Sequence, residues 1–389
     1  MRAYHRLSSS HASRDEQVRR FPEGVRERLT TCIALSEHVA QLAHTHPLLL
    51  FALADAYGPL PARREVVRRA VAGRPLADVA APLDLPTCLR RLPPEACSSQ
   101  LPYFRWSAAA NRSLAPLVPR DAAAAKTWLR HITFAAHAGN EAFAIWVAKQ
   151  RCLYETANVR PSALRPLALH SWHCLDRKGD ADPLLTEPGW APSLGLFTAI
   201  DRARSWLRRL KLLLELGPTG ITDSWVPEGK ACGFVFQPLL TPQDLIAEAH
   251  VMQNCVDTYG ADMARNACRL FRVARKGRSV ATLELRHDLS ERTLTVTQLK
   301  AHANRECPLA VWHAAWSWLK PHVEHDKPPR PNRHRPELAK LLDRYASRFA
   351  DAIDRPDEFT IAGLNVDLNH LKRCARSQRS MTAVSDCAA

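Results

Sequence analysis

Apolar positions along most of this chain recur at helical spacing, and in a single stretch they switch to alternation. The three- and four-residue intervals predict helices within 25–57, over 62–72, over 120–154 with a break at Gly139, and over 197–216. Thr241 is placed as an N-cap, Pro242 suits the first helical position, and Asp244 completes an acidic variant of the capping box. The helix they open is expected to run to about residue 266. Leu245, Ala249, Met252, Val256 and Tyr259 would form its apolar face. The period then changes. Segments 268–275, 278–286 and 293–301 are rich in Val, Leu and Thr, and Lys276-Gly277 and 288–292 separate them like turns, which predicts an antiparallel meander. Residues 233–237 read as a strand leading into the helix, and Pro308 opens a helix carrying Trp312, Trp316 and Leu319.

The expected fold class is α+β, mostly helical, with a small three-stranded antiparallel sheet module packed on a helix. The expected division is a disordered N-terminus (1–20), a helical N-terminal region (21–230), an α+β module (231–320), and a basic linker with a helical tail (321–389). Segment 76–92 has the rhythm of a helix-turn-helix, which plain helical packing produces equally well.

Polar residues interrupt the apolar faces of the module. On a continuous helix, Glu248, Met252, Cys255 and Tyr259 form one stripe, while His250 and Asn254 point away. A glutamate on the core side is costly to bury alone, so Glu248 must reach solvent at the rim or meet a donor from the sheet. Alternation groups Val280, Thr282 and Glu284 on one strand face, and Leu294, Val296, Gln298 and Lys300 on another. Cys255 and Glu248 are therefore candidate catalytic residues, and Tyr259, Glu284, Gln298 and Asn304 candidate substrate-binding residues. The competing interpretation is a packed thiol at Cys255 and a polar network that fixes the helix on the sheet.

The order Leu-x-x-Glu-x-x-x-Met-x-x-Cys-Val-x-x-Tyr, a basic hairpin, Ala-Thr-Leu-Glu-Leu and Gln-x-x-x-x-x-Asn resembles the PcfJ-like proteins of bacterial plasmids, phages and other mobile elements. The resemblance covers residues 241–318, with further similarity at 74–76 and 89–94. It matches Glu248, Met252, Cys255, Val256, Tyr259, Thr282, Glu284, Gln298 and Asn304. It implies an accessory protein of a mobile element, with no assigned biochemical activity. The chain departs from the family pattern at Ala249 and Ala301, where glycine is usual, and at Asn254, where histidine is usual, so a Cys–His dyad built on position 254 cannot form. A base for Cys255 would have to be Glu248 or His302.

Composition adds a partner class. The formal charge is +15 and the pI near 9.6, which points to nucleic acid or another anionic partner, or else to an Arg-rich genome. Basic residues concentrate in 62–91, 202–211 and 320–335, and Lys327, Arg330, Arg333 and Arg335 are the candidate nucleic-acid-binding residues. The eleven cysteines follow no zinc-finger or redox spacing, which suggests reduced thiols in a cytoplasmic protein. No metal or cofactor is expected: there is no Gly-rich phosphate loop, and His302, Cys307 and His313 are irregularly spaced. No signal peptide is apparent, and the apolar run 47–54 is too short to span a bilayer, so no membrane partner is expected. Three functions remain open: a mobile-element accessory protein acting on or alongside nucleic acid, a small-molecule or nucleotide-processing enzyme using Cys255 and Glu248, and a scaffold without chemistry.

Overall fold

The run Pro47–Ala54 has no polar residue, and in the computed structural model it forms a helix buried at every position. The structure describes residues 14–98, 106–155, 159–175, 183–186, 189–288, 290, 292–324 and 361–386. The chain is mostly helical with one antiparallel sheet, α+β overall. It divides into two compact units. One comprises Met1–Trp172, Ala191–Phe197 and Val366–Ala389, and the other His173–Trp190 and Thr198–Asn365. The expected tail arm, including Lys327, Arg330, Arg333 and Arg335, lies outside the described residues.

The first unit is helical. Ser36 caps the helix Glu37–Thr45, and Asp121 and Asn140 cap Ala122–Ala138 and Glu141–Lys149, which meet at Gly139 as the sequence predicts. Arg165 pairs with Asp367 at 2.9 Å, both largely buried, and fastens the helix Ile361–Asp386 to this unit. The helix-turn-helix rhythm does not produce two helices. After Leu76–Ala80, the segment Thr87–Arg91 is only a short 3-10 helix, held between Pro86 and Pro93-Pro94, with Leu89 and Leu92 buried. Its side chains belong to the core, and it is too short to lie along a groove of DNA.

In the second unit, five strands form one sheet in sequence order: β1 (Gly229–Ala231), β2 (Phe234–Pro238), β3 (Arg269–Arg275), β4 (Arg278–Asp288) and β5 (Thr293–Ala301). The expected three-stranded meander is therefore the β3–β5 part of a larger sheet. The strand expected at 233–237 joins it as β2, paired with both β1 and β3. β1 was missed because three residues with one exposed lysine carry almost no alternation. Lys276 and Gly277, both at positive φ, make the tight β3–β4 turn.

One sheet face carries Phe234, Phe236, Phe271, Val273, Ala281, Leu283, Leu285 and Leu299, and packs on the tryptophan helix Leu309–Leu319. The Phe236 and Trp318 rings stack there at 4.5 Å. The opposite face meets the motif helix Pro242–Met252, and Leu245, Val256, Met263 and Leu270 form a second core with Leu212 and Leu216 of the helix Leu196–Leu216. Among the described residues no helix is long and apolar enough to cross a membrane.

Candidate functional site

The motif helix starts where the sequence predicts. Thr241 Oγ1 accepts from the Asp244 backbone at 3.1 Å, and Asp244 accepts from the Thr241 backbone at 3.0 Å, closing the capping box. It ends far earlier than predicted, at Met252. Gln253 adopts the left-handed conformation, and a short 3-10 turn, Val256–Thr258, and a helix, Gly260–Ala264, follow. The apolar spacing runs through this break because both sides face the same core. One tertiary and one local hydrogen bond favour the break: the Asn254 amide donates to Thr282 Oγ1 at 2.9 Å, and its oxygen accepts from the Val256 backbone at 3.4 Å. The expected Glu248–Cys255 stripe is thus cut. Asn254 turns toward the sheet and Cys255 becomes exposed.

Glu248 meets donors from the sheet. It is fully buried, with 0 % exposure. Arg272 Nε donates to Oε2 at 2.7 Å, while Ser279 Oγ and Thr282 Oγ1 donate to Oε1 at 2.8 and 3.0 Å. Ser279 and Thr282 are three residues apart and would lie on opposite faces of a regular strand. A bulge brings them together: Ala281 pairs with Val273 and Ser279 with Ala274, so Val280 is extra and packs toward the tryptophan-helix side. Val280 therefore does not share the face of Thr282 and Glu284. Sequence reasoning missed Arg272 and Ser279. A basic residue between Phe271 and Val273 in a buried strand was the available signal for Arg272; the bulge had none.

A second bulge, at Thr297, corrects the expected face of β5. Glu284 pairs with Gln298 and Leu285 with Val296. Leu294 and Val296 accordingly join the tryptophan-helix core, while Gln298 and Lys300 join the other face with Glu284.

Beside the Glu248 network that face opens into a shallow cleft lined by Asn254, Cys255, Tyr259, Glu284, Gln298 and Lys300, among others; Asn304 also contributes. The structure thus brings together Cys255, Tyr259, Glu284, Gln298 and Asn304. Glu248 does not line the cleft, and His302 is exposed outside its lining. Glu284 is 3 % exposed, and Arg286 Nε donates to its Oε1 at 2.6 Å. Arg286 also reaches Asp262 at 3.3 Å, and Asp262 pairs with Arg265 at 2.6 Å. Glu284 Oε2 is buried and accepts no hydrogen bond from a described residue. Burial, reinforced by the Glu284 carboxylate, pushes the Tyr259 phenol up, so it remains a hydrogen-bond donor. Burial likewise pushes the Cys268 thiol up to about 12.

Among the described residues no group of His, Cys, Asp and Glu could hold a metal ion. Compared with known proteins, the chain matches no family model, no curated protein and no solved structure.

Proposed function

We propose that the chain is a PcfJ-like accessory protein of a bacterial mobile element, a plasmid or a phage, that acts alongside nucleic acid through its α+β unit. The family part rests on the motif resemblance, and the observation that carries the nucleic-acid part is the β3–β4 hairpin. Arg275, Lys276 and Arg278 stand exposed at its tip, and neither Lys276 nor Arg278 has an ion-pair partner among the described residues. Several basic residues elsewhere are engaged internally. Arg68 and Arg69 pair with Glu65, Arg208 pairs with Asp257, and Arg202 donates to the Gly189 carbonyl. Free cations at a tight turn suit phosphate contact, since they need not leave a partner first. β4 runs from this tip to Glu284, roughly 20 Å at the rise of a strand, so one extended strand of nucleic acid could reach both tip and cleft. By sequence, the arm carrying Lys327, Arg330, Arg333 and Arg335 adds to the same reading.

Salt-dependent binding of single-stranded oligonucleotides tests the proposal. Affinity should fall steeply with salt, and Lys276→Ser with Arg278→Ser should reduce the slope by about 0.7 per lost phosphate contact. No binding at low ionic strength, or an unchanged slope, would count against the hairpin.

A second reading, a small-molecule or nucleotide-processing enzyme, draws on the exposure of Cys255 in the cleft. Glu248 is a poor base for it, because both carboxylate oxygens are already occupied by donors. Selective alkylation of Cys255 at neutral pH would favour this reading.

A further inference from the structure

A buried carboxylate oxygen without a donor is expensive, and native structures seldom retain one without a use. Glu284 Oε2 is such an atom, and its residue lines the cleft. The surrounding charges define what it lacks. Glu284 and Asp262 face Arg286 and Arg265, two carboxylates against two guanidinium groups, so the cluster is already neutral. Lys300, in the cleft lining, adds a positive charge that disfavours an incoming cation and favours a phosphate. Oε2 therefore suits a neutral hydrogen-bond donor, and a ligand N–H is one such group. Tyr259 contributes an aromatic ring to the same cleft lining, and Asn254, Gln298 and Asn304 contribute amide groups that can both donate and accept.

We propose that this cleft receives a nucleobase bearing an exocyclic amino group, whose N–H donates to Glu284 Oε2, with Lys300 placed for the adjoining phosphate. The inference rests on the nucleic-acid reading above and adds base selectivity to it. Cytosine fits the chemistry directly, since its N4 amino group is the donor that a glutamate reads in nucleic acids. Uracil presents an acceptor at the same ring position and would set oxygen against oxygen. Oε2 is closed to bulk solvent, so a lining side chain must turn aside for the base; Gln298 is exposed and can rotate without disturbing the core.

The test compares oligodeoxycytidylate with oligodeoxyuridylate of equal length, by fluorescence anisotropy on the full chain. The cytidylate strand should bind about tenfold more tightly. In Glu284→Gln, Arg286 keeps the amide oxygen on its side, so the amide nitrogen takes the place of Oε2. The preference should vanish or reverse, because the amide nitrogen now opposes the cytosine amino group and donates to the uracil oxygen. A measurement on the unmodified protein covers the case of a misfolded variant. Maleimide alkylation of Cys255 should slow with the cytidylate strand more than with the uridylate one, with Cys232, exposed and outside the cleft lining, as the internal control. Free cytidine and uridine form a further arm. Equal, salt-dependent binding of both strands, with Cys255 protected equally or not at all, would overturn the base-reading role and leave the nucleic-acid reading standing. Protection by cytidine alone, without strand binding, would keep the donor chemistry and remove the strand. No binding and no protection would overturn both.

Discussion

Two buried glutamates stand on one face of the same sheet, and their surroundings differ completely. Glu248 comes from the helix, and three donors on β3 and β4 satisfy both of its oxygens. Glu284 comes from β4 itself, and one arginine satisfies one oxygen and leaves the other bare. Burial is therefore common to a carboxylate in a closed network and one in an open network. Unfilled hydrogen-bonding capacity is what separates them, because a closed network contributes stability while an open one retains capacity for a further donor.

The same substitution at each position gives the largest contrast. Glu248→Gln keeps the shape but removes a charge-assisted bond from Arg272, and chemical denaturation should show a loss of about 2 kcal/mol. Glu284→Gln should cost less, about 1 kcal/mol, since it weakens only the bond from the more exposed Arg286 and its second oxygen has no bond to lose. Equal losses at the two sites would erase the distinction. Next in size, Asn254→Ala removes the donor to Thr282 that holds the turn after the motif helix, at a cost of about 1 kcal/mol. Asn254→His should lose less than Asn254→Ala if the ring nitrogen reaches Thr282, and as much if it does not. Ser279→Ala should cost a similar or smaller amount, because Glu248 Oε1 retains Thr282.

The smallest effect separates two thiols. Between pH 7 and 9 a maleimide should label the exposed Cys255. Cys268, pushed up to about 12 by burial, stays a protonated thiol throughout that range and should remain unlabelled in the folded protein. Mass spectrometry of the labelled peptides reads both sites at once, and labelling of Cys268 before Cys255 would contradict the packing of this face.

Much of this was legible in the sequence, for identifiable reasons. The start of the motif helix was, because a capping box is local chemistry. β3, β4 and β5 were, because alternation and the Lys276-Gly277 turn are local as well. The end of the helix was not. The apolar spacing continued past Met252, and the hydrogen bond that favours the break is donated by Asn254 to Thr282, twenty-eight residues further on. The faces of β4 and β5 were legible only up to each bulge, since alternation assumes regular pairing. Cys255, Tyr259, Glu284, Gln298 and Asn304 were identified as candidates by residue type and order, and they line one cleft. Their separation from Glu248 could not be read, because it depends on the helix break.

The bulges at Val280 and Thr297 set the phase of the sheet's side chains. Substitution within the cleft can be gradual, each new side chain being tested in the place of the old. A change in chain length at either bulge cannot be, since adding or dropping one residue exchanges inward and outward positions on that strand in a single step. Inheritance of the cleft thus depends on the count of residues between Gly277 and Asn304 as much as on their identities. A descendant that kept every named residue but lost one spacer would keep the letters of the motif and lose its meaning.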